Sequence, residues 1–432
     1  MERTWTTELA GRTGQRVRLQ GWMHHLRRLS NVTFLLLRDA RGIAQVVVDD
    51  PDLANALDAM ARDSVLEVEG TACPEPRAPA EVELREARVT VIAAAIESPP
   101  ADLYRPQLAV QLPTLLDRAP VLLRHPRRRA MFRLSAAAMA GYRSALRARG
   151  FVEIQTPKLV AFATEGGANV FPVDYMGRKA FLAQSPQFYK QTMVGVFERV
   201  FEIGPVFRAE PHDTPRHLNE YVSLDAELGF IDDHRTVMAV LREAVAGMVE
   251  AVAEEGDALR LLEVVPPTLP EAIPALHFTE AQEVAARIRG VDVGDEPDLA
   301  PADEACLGEW ALREHGSDFL YVVGYPMRKR PFYTHPDLDR PGFSRSFDLL
   351  FRGLEVATGG QRLHLLSDYL DALARRGLDP EPFQGYLAAF RHGMPPHGGF
   401  GMGLARWLAR LTGTANVREA TLFPRDLQRL VP

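Results

Sequence analysis

The first residues that could do chemistry are an arginine and a glutamate two positions apart. They close the run Phe201-Glu202-Ile203-Gly204-Pro205-Val206-Phe207-Arg208-Ala209-Glu210. In an extended chain, side chains two apart share a face, so Arg208 and Glu210 point the same way. An arginine there can grip a phosphate or carboxylate through two parallel hydrogen bonds. Glu210 can accept from an amino group. A polar stretch, Pro211–Glu220, adds Arg216 and His217. Then Tyr221–Ile231 alternates again, with Val222, Leu224, Ala226 and Leu228 against Ser223, Asp225 and Glu227. The pattern reads as strand, polar loop, strand. An ion-paired hairpin with no ligand fits the same residues.

A second cluster is Gly399-Phe400-Gly401-Met402-Gly403, which runs into an apolar-periodic helix with Arg406 in its first turn. Alternating glycines let a ligand approach the backbone. A cation at the positive end of a helix is slightly unfavourable, and it makes sense if an anion sits there. The dinucleotide-binding fingerprint needs a following strand–helix–strand unit and a ribose-binding acid, so this run is not one. A third motif is Phe151-Val152-Glu153-Ile154-Gln155-Thr156-Pro157, a strand stopped by proline. It follows a helical pattern carrying Met131, Leu134, Met139, Tyr142 and Leu146.

These motifs need a scaffold, and apolar alternation outlines it. Residues 1–98 read as strands Arg16–Trp22, Thr33–Arg38 and Ile43–Asp49, a short helix on Leu53, Leu57 and Met60, then strands Val65–Ala72 and Val82–Ala93. Three strands, a helix and two strands is the order of an OB barrel, although other small barrels share it. Trp22 and Phe34 are candidates for base stacking or for packing, with Trp22 expected in the core. Residues 99–125 are proline-rich and read as a linker. From 126 onward strands and helices alternate, and 253–318 reads as an insertion of little chemical content.

Composition narrows the class. The 432 residues are 46% hydrophobic and 25% charged, as in a soluble globular protein of two or three domains. No run approaches the roughly 18 apolar residues of a membrane span. Residues 1–5 have no secretory apolar region, and Cys73 and Cys306 make neither a disulfide framework nor a four-ligand zinc site. The expectation is a cytoplasmic enzyme. The net charge is −7, yet Arg124, Arg127, Arg128, Arg129 and Arg133 form a local patch without an acid. Nucleic-acid binding depends on such patches rather than on the total.

Together and in this order, the three motifs resemble the signatures of class II aminoacyl-tRNA synthetases. The N-terminal barrel narrows the resemblance to the aspartate, asparagine and lysine subgroup. Four further segments resemble the archaeal-type aspartyl enzymes. They are Thr164-Glu165-Gly166-Gly167-Ala168, Gln184-Ser185-Pro186-Gln187-Phe188-Tyr189-Lys190-Gln191, the loop from Arg208 to Glu220, and Glu355-Val356-Ala357-Thr358-Gly359-Gly360-Gln361-Arg362. The bacterial type carries a large extra domain for which this chain is too short. The resemblance implies an α+β protein: an OB-fold anticodon-binding domain at 1–98, a hinge at 99–125, and a class II catalytic domain at 126–432. That catalytic domain is built on an antiparallel sheet flanked by helices.

The resemblance also implies roles. ATP and L-aspartate form an aspartyl-adenylate, and the aspartyl group passes to tRNA(Asp) and, in the relaxed form, to tRNA(Asn). Arg208 holds the α-phosphate and the attacking carboxylate, and Arg406 holds the γ-phosphate. Arg216, His217 and Leu218 lie along the ATP phosphates, Glu210 reads the adenine amino group, and Gly403 lets the nucleotide approach. Glu165, Gln187, Lys190, Thr358 and Arg362 bind aspartate, with Glu165 on a mobile loop. Glu355, Thr358 and Asp348 hold Mg²⁺. Asp348 and Glu355 are seven apart on adjacent elements, and such oxygen ligands suit that ion. Asp348 as a partner of a nearby arginine is the alternative. Thr358 stands where the family commonly has serine and keeps the hydroxyl. Lys190 is one of only four lysines, and with Arg362 it makes two cations for one carboxylate. Asparagine would leave them partly unpaired. Asparaginyl enzymes lack the matching lysine.

Discriminating relatives tend to carry Trp near the position of His24 and Lys near that of Pro79. The segments here, Gly21-Trp22-Met23-His24-His25 and Arg77-Ala78-Pro79, resemble the relaxed type. A homodimer is expected from the family's seam around Pro157. An asparaginyl enzyme and a discriminating aspartyl enzyme are the alternatives.

Overall fold

The computed structural model describes residues 1–30, 32–162, 169–291 and 296–431. It divides into two compact units, Met1–Arg128 and Arg129–Pro432.

The first unit is a closed barrel of β1 (Arg16–Arg28), β2 (Thr33–Arg38), β3 (Ile43–Val48), β4 (Val65–Pro74) and β5 (Val82–Ala93), ordered β1-β2-β3-β5-β4. Period-two alternation sends Val17, Leu19 and Met23 inward to meet Leu35, Leu37, Val46, Leu66, Val68 and Leu84. The helix Pro51–Asp58 sits between β3 and β4. Asp50 caps it by accepting from Asp52 N, and proline fills its first position, where a missing N–H costs nothing. The proline-rich stretch expected as a linker holds two short helices, Leu112–Asp117 and Ala119–Leu122, around Leu103, Leu115 and Leu122. Pro113 and Pro120 lie in the first turns of these helices, a position that proline tolerates.

The second unit is built on eight strands: β6 (Val152–Glu153), β10 (Arg199–Phe207), β11 (Glu220–Gly229), β12 (Ala275–His277), β13 (Phe319–Val323), β14 (Ser346–Phe351), β15 (Leu354–Gln361) and β16 (His397–Gly403). Their order is β12-β13-β14-β15-β16-β11-β10-β6. The six central strands pair antiparallel, as expected. The edge strands β12 and β6 join in parallel, so the sheet is mixed. A small sheet of β7 (Leu159–Val160), β8 (Pro172–Tyr175) and β9 (Arg178–Leu182) has the order β7-β9-β8.

The main core joins the helices Pro126–Ala148 and His234–Ala253 to the sheet through Tyr142, Leu241, Val245, Met248, Phe201, Leu224, Phe347 and Phe400. The two helices cross closely at Gly141 and Gly247. A Cβ on Gly141 would stand 2.1 Å from Gly247 O. The stretch 253–318 supplies edge strand β12 and the helices Phe278–Arg289 and Pro301–His315, which pack on β13 through Phe278, Ala285, Leu307, Leu320 and Val322.

Candidate active site

The hairpin β10–β11, the strands β15 and β16 and the helix Gln187–Phe197 enclose a cavity of about 400 Å³. Its wall includes Gln187, Lys190, Arg208, Glu210, Arg216, His217, Leu218, Glu355, Thr358, Arg362, Gly403 and Arg406. The sequence motifs, up to 219 residues apart from Gln187 to Arg406, therefore converge on one place. Register explains how. Asp225 pairs with Gly401 and Thr358 pairs with the same glycine from the other side, so β11, β16 and β15 set their polar faces in a row.

At one end lies a buried cluster of four charges. Lys190 is 2% exposed. Its Nζ donates to Asp225 Oδ1 at 2.9 Å and to Phe400 O at 2.9 Å, and lies 3.3 Å from Glu227 Oε2. Arg362 donates from Nε to Glu227 Oε1 at 2.9 Å and from Nη2 to Gly399 O at 2.9 Å. Glycine at 399 is required here, since a Cβ would stand 2.1 Å from Glu227 Oε2. Burial raises the Glu227 pKa, but Arg362 and Lys190 outweigh it and hold the carboxyl below its usual range. The two cations expected to face a substrate carboxylate are thus also balanced by Asp225 and Glu227. Buried charges require such partners. Ser223 donates to Asp225 Oδ2 at 2.5 Å. Behind Lys190, Gln191 Oε1 accepts from Tyr369 and Tyr386 at 3.0 and 2.7 Å, which pins the helix. On the wall, buried Gln187 has an amide Nε2 with no hydrogen-bond partner among the described residues. A buried donor of this kind is one a ligand can satisfy.

The other end is rich in arginine. The Arg208 guanidinium lies 5.9 Å from the Tyr221 ring, and Arg208 N donates to Asn219 O across the mouth of the hairpin. Arg406, in the first turn of the helix Leu404–Thr412, donates to Glu355 O at 3.2 Å and to Arg216 O at 3.4 Å. His217 lies 2.6 Å from Thr214 Oγ1, and burial, aided by Arg406, lowers its pKa. Glu210 receives Asn169 Nδ2 at 3.4 Å.

Thr358 donates to Glu355 Oε1 at 3.1 Å, so a carboxylate and a hydroxyl stand together on the wall. Arg406 and the Thr358 hydroxyl outweigh burial and hold the Glu355 pKa down. Such hard oxygens fit a Mg²⁺ ion that arrives with phosphates and keeps its waters. Asp348 is the register partner of Thr358, but Arg330 Nη2 spans both of its oxygens at 3.2 Å. Burial pushes the Asp348 pKa up to about 6, against the pull of Arg330. Asp348 thus pairs with a nearby arginine. The ion pair supplies the counter-charge that a buried carboxylate between strands needs.

Glu165 and its loop lie outside the described residues. His24 and Pro79 belong to the barrel unit. His24 is 6% exposed, edge-on to Tyr104, and burial lowers its pKa to about 4. Pro79 is half-buried at the head of a single turn whose next two residues, Ala80 and Glu81, have positive φ. Trp22 was expected in the barrel core. It is half-buried on the outward face, 5.3 Å from the Arg38 guanidinium, because its neighbours Gly21 and Met23 take the inward positions. Phe34 is likewise half-buried, under Arg27.

Sequence reading missed several residues of the site. Asp225 and Glu227 were visible only as the polar face of β11. Arg330 and Glu304 carried no motif, and Glu304 lies in the stretch set aside as an insertion. Arg418 binds Asp213 and Asp426 and so ties the polar loop to the C-terminal segment. A buried arginine without a motif gives no signal in one sequence.

Residues 112–427 match the family of class II tRNA synthetases (D, K and N), and residues 17–92 match the OB-fold nucleic acid binding domain. The chain belongs to these class II tRNA synthetases. It is 45% identical over 98% of its length to an aspartate–tRNA(Asp/Asn) ligase of Thermus thermophilus, covering 99% of that protein. It is 43% identical over its whole length to one of Deinococcus radiodurans, again covering 99%. The asparaginyl-tRNA synthetase of Pyrococcus horikoshii, solved with asparaginyl-adenylate, superimposes with a TM-score of 0.93 at 30% identity, each chain covered in full.

Proposed function

We propose that this chain activates L-aspartate with ATP and transfers it to both tRNA(Asp) and tRNA(Asn). The observation that carries the choice of aspartate is Lys190, buried beside Arg362 at the end of the cavity. A carboxylate side chain entering there meets two cations already oriented by Asp225 and Glu227. A neutral amide gains less from that pair. Asp225, with Ser223, supplies the anion for the substrate ammonium, and the unpaired Gln187 amide offers a donor to a carboxylate oxygen.

In the first step an oxygen of the α-carboxylate attacks the α-phosphorus, the mixed anhydride forms, and pyrophosphate leaves with the bonding electron pair. Arg208 holds the nucleophile against the phosphorus and neutralises charge on the phosphoryl oxygens. Arg216, His217 and Arg406 hold the leaving phosphates, Leu218 and Gly403 shape the walls, and Glu210 accepts from the adenine amino group. Glu355 and Thr358 would hold Mg²⁺, which would supply further neutralisation of the ATP phosphates. In the second step the terminal ribose hydroxyl of the tRNA attacks the aspartyl carbonyl, and AMP leaves. The barrel holds the anticodon, and His24 and Pro79 set its tolerance. We further infer a cytoplasmic homodimer. Among the described residues no helix is long and apolar enough to cross a membrane.

The fold accommodates an asparaginyl enzyme equally, as the Pyrococcus horikoshii likeness illustrates, and Lys190 separates the two readings. ATP–pyrophosphate exchange with each amino acid tests the proposal. Exchange with aspartate and little with asparagine is expected, and the reverse order overturns it.

A further inference from the structure

Glu304 belongs to none of the motifs. It lies in the first turns of the helix Pro301–His315 and is 6% exposed. Its two oxygens accept from Arg216 Nη2 at 2.8 and 2.7 Å, and Oε2 also accepts from Glu355 N at 2.9 Å. One carboxylate thus joins the polar loop to the head of β15. The helix that carries it is fixed against the turn between β14 and β15. A Cβ added to Gly308, one turn on, would stand 2.3 Å from Gly353 N. Arg352 and Gly353 in that turn both have positive φ, so the turn has little freedom to yield. Arg406 closes the arrangement by donating to Arg216 O and Glu355 O.

We propose that Glu304 is a positioning residue for ATP, holding Arg216 in its phosphate-binding pose and Glu355 at its place on the wall. The proposal rests on the reading of this cavity as an ATP site. Both bonds from Arg216 to Glu304 leave from Nη2. Nε and Nη1 carry no hydrogen bond among the described residues, so they remain for an anion while the side chain stays anchored. An arginine held by one nitrogen has already lost much of its rotamer freedom, and phosphate binding then loses less. Glu304 is buried and rooted in a helix, so it cannot follow a departing arginine.

The test is ATP–pyrophosphate exchange by the full chain, with KM for ATP, KM for aspartate and kcat measured separately. E304Q removes the charge and sets an NH₂ group against Arg216 Nη2. It is expected to raise the ATP KM about tenfold and leave the aspartate KM within twofold. R216A is expected to raise the ATP KM as well. Adding E304Q to R216A should change it by less than about twofold, since residues acting as a unit are non-additive. E304D keeps the charge one carbon further back and should recover part of the loss. An ATP KM within twofold of wild type in E304Q overturns the proposal, as do single effects that multiply in the double variant. If E304Q does not fold, E304D decides: at least a threefold, ATP-specific rise is expected, and a wild-type value overturns the proposal. Absence of aspartate-dependent exchange in the wild type would instead overturn the reading of the cavity.

Discussion

In the proposed function single side chains do most of the work of selection, and the cations are the sharpest test. Arg208→Ala removes the group proposed to join nucleophile and phosphorus. Adenylate formation should fall by about 10²-fold or more, as on loss of comparable transition-state donors. Pyrophosphate exchange at the wild-type rate would contradict this role. Lys190→Leu acts differently, because Lys190 balances Asp225 and Glu227 as well as facing the cavity. Removing one member of a buried ion cluster costs about 3–5 kcal/mol. The variant should therefore melt at a lower temperature and show a steeply raised aspartate KM, with the ATP KM within about twofold. Equal changes in both KM values would move Lys190 out of the aspartate end. Membership of the cavity was legible where a residue type was rare or a motif surrounded it. Lys190 stood out among four lysines. Glu304 and Arg330 did not, because a buried acid or arginine looks like any surface charge until its partner from a distant segment is seen.

At the scale of elements, β16 carries glycines on one strand and His397 at its start. His397 is buried, with Nδ1 3.0 Å from Pro395 O and Nε2 3.1 Å from Gln191 Oε1. Burial lowers its pKa to about 4, while Glu227 opposes and Arg362 and His364 assist. Between about pH 6.5 and 4 the unfolded chain binds a proton that the folded chain excludes, so stability falls as pH falls through that window. The contribution amounts to about 3 kcal/mol. Denaturant unfolding of wild type and His397→Gln between pH 7 and 4 checks this. The wild type should lose about 3 kcal/mol more than the variant, and parallel curves would contradict it. Strand alternation made the barrel and the hairpin readable, since period two is a direct imprint of one buried face. The two short helices within 99–125 were not legible, because proline marks both linkers and the first turns of helices. In the stretch 253–318 the edge strand β12 was not legible, because it is three residues long and joins by parallel pairing, which no local turn announces.

The whole molecule is expected to work as a two-fold dimer. Val152 and Leu159, on either side of Pro157, are 38% and 47% exposed and offer apolar surface to a second copy. Light scattering should give about 96 kDa, twice the 48.0 kDa chain, and a monomer at micromolar concentration would contradict it. Choice of tRNA also belongs to this scale. The two anticodons differ at one base, and a well-read mismatch is worth about 1–3 kcal/mol. Pro79 has no N–H to offer, and His24 is buried rather than presented, so neither residue is built to exclude a base. His24→Trp with Pro79→Lys should shift charging toward tRNA(Asp). The most direct measurement is charging of purified tRNA(Asp) and tRNA(Asn) transcripts by the wild-type protein, with aspartate and with asparagine. Aspartate should be attached to both tRNAs at rates within about tenfold of each other, and asparagine to neither. Attachment of asparagine, or refusal of tRNA(Asn), would contradict it.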